Sequence, residues 1–304
     1  MAEEILRDCY LIDLDQPRRG FRKFISSWLI RRRGKTILVD PGPRSTIPHL
    51  MEELEQLAVN RIDLILITHV HLDHVGGLGC LLHRYPSARV VCKPATVRHL
   101  VDPSKLWNAS KKALGDLTDM YGSVEPCREE VFVETGIFDD DGFFEIIETP
   151  GHASHHRCYR LGDVLFAGEV AGVFYPHEEG PYLRIASPAP FFYTVYRTSL
   201  LKAASLDVSH ACFAHYGHSD KPSKVFKMAL DQLDLWVSLT ERHHLAGSEP
   251  LEDRVFDDLL EEDRALKLFC RLPDDIRERE RFFARKSIRG IRTWIEEKQA
   301  HTAS

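Results

Sequence analysis

Four side chains of the kind that bind metal ions lie within six consecutive positions. Residues 68–77 read Thr-His-Val-His-Leu-Asp-His-Val-Gly-Gly, which brings together His69, His71, Asp73 and His74. Imidazole and carboxylate groups are the ligands expected for zinc, iron or manganese. A polar loop with histidines at chance positions is the competing interpretation, but four such residues this close together are a specific signal. The segment therefore predicts a metal site.

The elements around this segment suit that role. Asp63–Ile67 is a short apolar run that predicts a buried strand, and residues 75–84 predict a helix. His69 and His71 are two positions apart, so in extended backbone they project to the same side. A strand-to-helix loop can direct all four side chains into one small volume.

These residues, with further motifs in the same order, resemble the metallo-β-lactamase superfamily, and most closely its glyoxalase II-type branch of small hydrolases. The resemblance covers roughly residues 5–218. It implies a mixed α/β (α+β) fold, a four-layer αββα sandwich, with two divalent metal ions. We predict a catalytic domain over residues 1–218 and a helical C-terminal domain over residues 219–304.

The resemblance implies a complete ligand set. His69, His71 and the His152 of Thr149-Pro150-Gly151-His152 would bind the first metal. The second would be bound by Asp73, His74 and His215, the last of which follows a short predicted strand. Asp40 and His156 match positions that support the site by hydrogen bonds, although a simple turn-capping role for Asp40 stays open.

The chain departs from the family at the carboxylate that bridges the metals, which is usually aspartate. Here the segment reads Leu165-Phe166-Ala167-Gly168-Glu169. Glutamate keeps the charge and both oxygens but adds a methylene. Glu169 bridging the two metals is our prediction, and contact with a single metal, or with none, stays as an alternative.

The implied chemistry is hydrolysis. Two close divalent ions lower the pKa of a shared water toward neutrality, and the resulting hydroxide attacks an electrophilic centre. Asp73 would orient this nucleophile and carry its proton. The substrate class would be a small ester, thioester or lactone. Zinc is the default metal from the affinity order, with iron or manganese as alternatives.

An aromatic segment after Glu169 is a candidate pocket wall. We expect Arg184 to bind a substrate anion, and core packing is the alternative for about half of the aromatic residues. The predicted pocket residues are Tyr182, Arg184, Phe191, Tyr193 and His218.

Composition sets broad limits. The chain has 304 residues, 43% of them hydrophobic, and a net charge of −6, which argues against a general nucleic-acid binder. No run is long and apolar enough for a membrane span, and the N-terminus lacks the pattern of a signal peptide. Seven scattered cysteines without a C-x-x-C motif predict neither a disulfide framework nor a cysteine zinc cluster. We therefore expect a cytoplasmic protein, with a homodimer as one hypothesis.

Other functions remain open at this point. Ribonucleases share this metal site, and the basic residues between Arg281 and Arg292 would suit RNA, although such a run is usually a solvated helix face. Only 45 residues separate Glu169 from His215, too few for the large inserted domain of some nucleases. A mononuclear iron oxygenase or a diiron redox protein is a further alternative. A non-enzymatic protein with a relic site is disfavoured by the complete ligand set.

Overall fold

The structure is a computed structural model and describes residues 2–133 and 143–302. The strands are β1 (Glu3–Leu6), β2 (Cys9–Asp13), β3 (Ser26–Arg32), β4 (Lys35–Val39), β5 (Leu64–Leu66), β6 (Arg89–Val91), β7 (Glu145–Glu148), β8 (Arg157–Leu161), β9 (Val164–Gly168), β10 (Val173–Tyr175), β11 (Tyr182–Arg184), β12 (His210–Phe213) and β13 (His218–Ser219). The helices are α1 (Ile47–Gln56), α2 (Leu72–Val75), α3 (Leu78–Arg84), α4 (Arg98–Val101), α5 (Ser104–Leu114), α6 (Leu117–Tyr121), α7 (Tyr193–Ala204), α8 (Pro222–Leu245), α9 (Leu251–Glu262) and α10 (Asp274–Thr302).

The strands form two main sheets. The first has the order β1-β2-β3-β4-β5-β6, and the second has the order β13-β12-β9-β8-β7. In the first sheet β4, β5 and β6 run parallel, and in the second β9 and β12 run parallel. Parallel neighbours end at the same edge of a sheet, so the loops that follow them lie close together.

The two sheets pack face to face. The apolar core between them takes Trp28, Ile37 and Leu64 from the first sheet and Tyr159 and Phe166 from the second. Alternate strand residues point the other way and pack under helices, which is why β5 is buried along its whole length.

Helices cover the two outer faces. Outside the first sheet, Ile65 shares a core with Leu50 of α1 and Leu81 of α3. Outside the second sheet, Phe213 shares a core with Phe226 of α8, among other residues. The order of layers is helix, sheet, sheet, helix, and the predicted αββα sandwich is confirmed.

The C-terminal helices belong to that outer core. Trp236 of α8, Phe256 of α9 and Ile288 of α10 are buried in the same apolar cluster as Leu165 of the second sheet. The segment after residue 219 therefore packs directly on the sandwich. Among the helices that the structure describes, none has the length and apolar character needed to cross a membrane.

Some elements differ from the sequence-based predictions. The sequence of residues 251–268 predicts one helix, but helix α9 ends at Glu262, since the Asp263 side chain leaves the helix to accept hydrogen bonds from Gln232 and Trp236. The aromatic segment from Phe174 to Tyr196, expected to form a pocket loop, ends within helix α7. The strands β1 and β2 were not predicted.

Candidate metal centre

The candidate ligands meet at one edge of the sandwich. His69 and His71 follow β5, Glu169 follows β9, and His215 follows β12. His152 follows β7, which runs in the same direction as β9 because each is antiparallel to β8. The topology therefore assembles residues from distant parts of the chain where these strands end.

The ligand atoms form two groups that share Glu169. Within each group the atoms lie within 4.8 Å of one another. The first group is His69, His71, His152 and Glu169, and the second is Asp73, His74, His215 and Glu169.

Glu169 lies between the two groups. Its Oε1 atom is 3.2 Å from His69 Nε2 and 3.3 Å from His152 Nε2 in the first group. The same oxygen is 3.1 Å from His74 Nε2 and 3.4 Å from His215 Nε2 in the second. The extra methylene of glutamate thus does not keep the carboxylate away from either group.

Hydrogen bonds orient His152 and His215 so that their Nε2 atoms face this centre. His152 Nδ1 lies 3.0 Å from the carbonyl oxygen of Ala186, and His215 Nδ1 lies 2.6 Å from that of Phe24. A carbonyl oxygen can only accept, so each Nδ1 carries the proton. In the neutral ring each Nε2 then carries the lone pair, which is the tautomer that binds a metal ion.

His69 is oriented through two neighbours. The Thr68 hydroxyl donates to Asp40 Oδ2 at 2.6 Å, and its oxygen lies 3.0 Å from His69 Nδ1. Because the hydroxyl has one proton, and Asp40 accepts it, the oxygen accepts from His69 Nδ1. Asp40 also accepts from the Thr68 backbone at 2.8 Å and lies 3.4 Å from His74 Nδ1. Asp40 is 1% exposed, so it holds this network inside the protein.

His156 fixes the backbone that carries Glu169. Its Nε2 accepts a hydrogen bond from the Glu169 backbone amide at 2.9 Å, and its Nδ1 lies 2.9 Å from the Thr149 hydroxyl. Gly168 has a φ of +53°, and a Cβ there would lie 2.4 Å from His156 Nε2. Glycine is therefore required for the close approach of the two segments.

Burial keeps His69 and His71 of the first group neutral. It lowers the pKa of His71 to about 3, with a further lowering by His152, and it lowers the pKa of His69 well below its usual value. Neutral imidazole is the form that binds metal ions.

In the second group, neighbouring charges outweigh burial in setting the pKa values. Burial would raise the pKa of Asp73, but His74 and His215 lower it below its usual value. Burial would lower the pKa of His215, but Glu169 and Asp73 raise it to about 9. The carboxylates of Asp73 and Glu169 have little contact with water, so they favour positive charge beside them, either as protons on histidine or as a metal ion.

The residues fit a divalent metal pair. His69 Nε2 is buried and has no hydrogen-bond partner among the described residues. A buried acceptor without a partner costs free energy, and metal coordination would offset that cost. The donor set of imidazole nitrogens and carboxylate oxygens suits zinc, iron or manganese.

A cavity of about 1020 Å³ opens onto this centre. Its floor includes His71, Asp73, His152, Glu169 and His215. Helix α5 lines one side of the cavity and helix α10 lines another. His155, whose Nδ1 accepts a 3.3 Å hydrogen bond from the Val70 amide, also lines it. The C-terminal segment therefore supplies part of the pocket wall.

The residues predicted to line the pocket from the aromatic segment lie elsewhere, with one exception. Arg184 lines the cavity, but its Nε donates to Glu280 at 2.7 Å, and Glu280 also accepts from Arg279 at 2.9 Å, so this guanidinium is held in a buried ion-pair network. Tyr182 is turned into the core, where its hydroxyl lies 3.1 Å from Glu280. Both contacts are with α10, about a hundred residues further along the chain.

The other three predicted pocket residues are outside the cavity lining of the described residues. Phe191 is buried against Tyr196 and Trp294. The Tyr193 hydroxyl donates to Asp234 at 2.9 Å on α8. His218 Nε2 lies 3.1 Å from His210 Nδ1 on the neighbouring strand. Tertiary packing uses these side chains, so they do not provide pocket contacts.

The basic residues near the C-terminus are largely paired. Arg285 contacts Asp253 at 2.6 Å, Arg289 contacts Glu252 at 3.2 Å, and Arg292 contacts Glu296 at 2.9 Å. Acidic residues of α9 and α10 therefore pair with three of the five basic residues that the sequence offered as a candidate RNA-binding run.

A connection from α10 to the metal centre was not predicted. Arg279 donates to the carbonyl oxygens of Gly20 at 2.6 Å and Arg22 at 3.2 Å, and its guanidinium lies 4.1 Å from the centre of the Phe24 ring. The centre of the Phe24 ring lies 4.3 Å from the centre of the His215 ring. The backbone carbonyl of Phe24 accepts the hydrogen bond from His215 Nδ1. Nothing in the local sequence signals such a long-range contact.

The fold and the donor set define a metal-binding αββα protein. The family model described as the metallo-beta-lactamase superfamily matches residues 20–215, which is more than half of the chain. The chain therefore belongs to the metallo-beta-lactamase superfamily.

Two relatives illustrate the range of the family. The chain is 32% identical over 190 residues to the metallo-beta-lactamase fold-containing protein ST1585 of Sulfurisphaera tokodaii, covering 60% of this chain and 69% of that protein. It is 30% identical over 143 residues to a hydroxyacylglutathione hydrolase of Aeromonas hydrophila, covering 47% of this chain but only 45% of that enzyme. The predicted resemblance to the glyoxalase II-type branch is thus confirmed at the level of homology.

Solved structures support the fold. The crystal structure of ST1585 superposes with a TM-score of 0.61 at 27% identity, covering 73% of this chain and 85% of that one. A metallo-beta-lactamase family protein of Thermus thermophilus, TTHA1429, has a TM-score of 0.66 at 20% identity. The latter match covers 97% of this chain and 95% of the other, so the shared fold includes the C-terminal helices.

Proposed function

We propose that this protein is a dinuclear metal-dependent hydrolase that cleaves a small ester, thioester or lactone. The observation that carries the proposal is the position of Glu169 Oε1, within 3.1 to 3.4 Å of four histidine nitrogens from both ligand groups. A single carboxylate shared in this way is suited to two metal ions. Zinc is the proposed metal because its affinity for nitrogen and oxygen ligands is high.

The residues have distinct roles in this proposal. Bound divalent ions would supply a hydroxide at neutral pH and polarise the substrate oxygen. His69, His71 and His152 hold the first ion, whereas Asp73, His74 and His215 hold the second. Asp73 borders the cavity and is kept ionised, so it can orient the nucleophile and take its proton. Asp40 and His156 hold the ligands in place.

We favour a small-molecule substrate over nucleic acid. The catalytic floor lies within a cavity between helices, and the basic residues of α10 are paired with carboxylates. We also propose that residues 219–304 act as a helical wall of the catalytic domain at 1–218. The cytoplasmic location and the homodimer stay predictions.

Removing the metal tests this function. The purified protein is analysed for metal content, dialysed against a chelator and reloaded separately with zinc, iron or manganese. We expect hydrolysis of acyl thioesters, esters or lactones to disappear with the metal and to return with about two ions per chain. Phosphodiester and β-lactam substrates run in parallel. RNA cleavage alone, or oxygen uptake with iron, would contradict the proposal.

We predict that Arg279 is a positioning residue for His215. Arg279→Met removes the contacts to the Gly20–Phe24 loop, so the Phe24 carbonyl is no longer held against His215 Nδ1. Loss of such outer support lowers metal affinity by about tenfold or more. The fold should survive, because Glu280 keeps its ion pair with Arg184. Calorimetric titration of zinc measures the effect on the second ion.

The matched control for this variant is Arg285→Met on the same helix. Arg285 is exposed and pairs with Asp253, away from the metal centre. It should leave both zinc affinities unchanged. Equal zinc affinities in Arg279→Met and in the wild type would show that α10 does not position His215.

A further inference from the structure

Helices α5 and α10 form two facing walls of the cavity. Lys286 of α10 donates a hydrogen bond to the carbonyl oxygen of Ala113, near the end of α5. Both residues line the cavity. This contact joins the two helices at the side of the space that leads down to the metal centre, and we call the space between them the α5–α10 groove.

The side chains along this groove are mainly apolar. Leu106, Ala109 and Leu114 line it from α5, and Phe283 lines it from α10. At the start of α7, Phe192 and Val195 also line the cavity although they are 51% and 42% exposed. Large apolar side chains left open to water beside a polar catalytic floor indicate a binding surface for an apolar group.

Two of the basic side chains that line the groove are already engaged. Lys286 is engaged with the Ala113 carbonyl, and burial lowers its pKa, with a further lowering by Arg289. Arg289 is paired with Glu252. Among the described lining residues the carboxylates are Asp73 and Glu169, both on the floor. The lining of the groove is therefore mainly apolar, with the exposed Lys105 of α5 as a further basic side chain, and the carboxylates are confined to the metal centre.

We propose that the α5–α10 groove binds the apolar acyl arm of the substrate, so that the enzyme selects longer acyl groups over acetyl. The inference rests on the proposed hydrolase function and adds the substrate class to it. The scissile carbonyl lies over the floor at Asp73 and Glu169, and the acyl chain extends from there between the helices. Each methylene buried in the groove then adds to binding in the transition state.

A chain-length series tests the proposal. Zinc-loaded enzyme is assayed with acetyl, butanoyl, hexanoyl and octanoyl thioesters of one neutral leaving group, N-acetylcysteamine. We expect kcat/KM to rise by about threefold to fourfold per buried methylene until the groove is filled. A thioester with a carboxylate at the far end of an acyl chain of equal length should be hydrolysed more slowly. A flat series, or a preference for the carboxylate, would overturn the proposal.

Two groove variants refine the test. Ala109→Trp should fill the space and reduce kcat/KM for octanoyl but not for acetyl thioester. Val195→Asp should have the same selective effect by placing a charge on the apolar wall, and its exposed position lets the fold tolerate the change. The controls are Asn108→Trp and Thr194→Asp, exposed neighbours that are outside the described cavity lining.

Direct binding separates failure of the groove from failure of the proposed function. The ligands are S-(2-oxoalkyl) thioethers of N-acetylcysteamine, in which a methylene between carbonyl and sulfur prevents hydrolysis. Calorimetry should show tighter binding with longer chains in the wild type and not in Ala109→Trp. Binding with this pattern but no hydrolysis of thioesters, esters or lactones would support the groove and refute the hydrolase. Hydrolysis without chain-length dependence would support the hydrolase and refute the groove as the acyl-binding site.

Discussion

Replacing Asp73 by asparagine should lower kcat by about a hundredfold or more while the protein stays folded. Asp73 Oδ2 lies 3.3 Å from His215 Nε2 and 3.5 Å from His74 Nε2, and these two histidines lower its pKa against the effect of burial. The carboxylate is therefore ionised and faces the cavity. The amide has the same shape but is neutral, so it cannot accept the proton of the nucleophile.

Elemental analysis separates catalysis from metal binding in this variant. Asp73→Asn should retain the first ion, whose ligands are untouched, and part of the second. Asp116→Asn, a carboxylate-to-amide change at an exposed position between α5 and α6, is the matched control and should behave as the wild type. Near wild-type turnover by Asp73→Asn at full metal content would exclude the proposed role of Asp73 as proton acceptor.

The half of the site that is local in sequence could be predicted from residue types alone. His69, His71, Asp73 and His74 are held by one strand-to-helix connection, so their spacing already contains most of the geometry. His152, Glu169 and His215 were predicted only through the family resemblance. They reach the same point because β7, β9 and β12 end at one edge of a sheet, and strand order is not visible in a single sequence.

The individual pocket residues, apart from Arg184, could not be predicted from the sequence for a physical reason. The sequence around an aromatic or charged residue does not show whether its side chain borders a cavity or pairs with a distant partner. Tyr182 and Arg184 pair with Glu280, and that contact depends on how α10 packs. Helix α7 was missed because its buried face, Tyr196, Ser199, Leu200 and Ala203, includes a serine that interrupts the apolar pattern.

Glu169→Gln should reduce metal binding toward one ion per chain. The Glu169 carboxylate contacts histidines of both groups, and its charge offsets the repulsion between two dications. The neutral amide keeps the shape but loses that charge. The first site keeps three neutral histidines, and the second keeps Asp73, His74 and His215, so we expect the second ion to be lost first. Zinc calorimetry with two unchanged sites would show that Glu169 is not a ligand.

Glu169→Asp is the sharper version of the same test, because it keeps the charge and changes only the reach. The shorter side chain withdraws the carboxylate by about one carbon–carbon bond, roughly 1.5 Å. The backbone has little freedom to follow. The Glu169 amide is held by His156 at 2.9 Å, its carbonyl accepts from Gly172 at 3.0 Å, and the approach at Gly168 leaves no room for a Cβ.

The aspartate, although usual in this family, should therefore be a poorer ligand here than glutamate. We expect Glu169→Asp to bind the second ion more weakly than the wild type but more tightly than Glu169→Gln, with reduced turnover. The shorter side chain falls short of the metals because His156 and Gly168 hold the backbone at a distance from the metal centre that suits glutamate. Equal zinc affinity and turnover in Glu169→Asp and the wild type would mean that this backbone moves, and that the added methylene has no role in holding the metals.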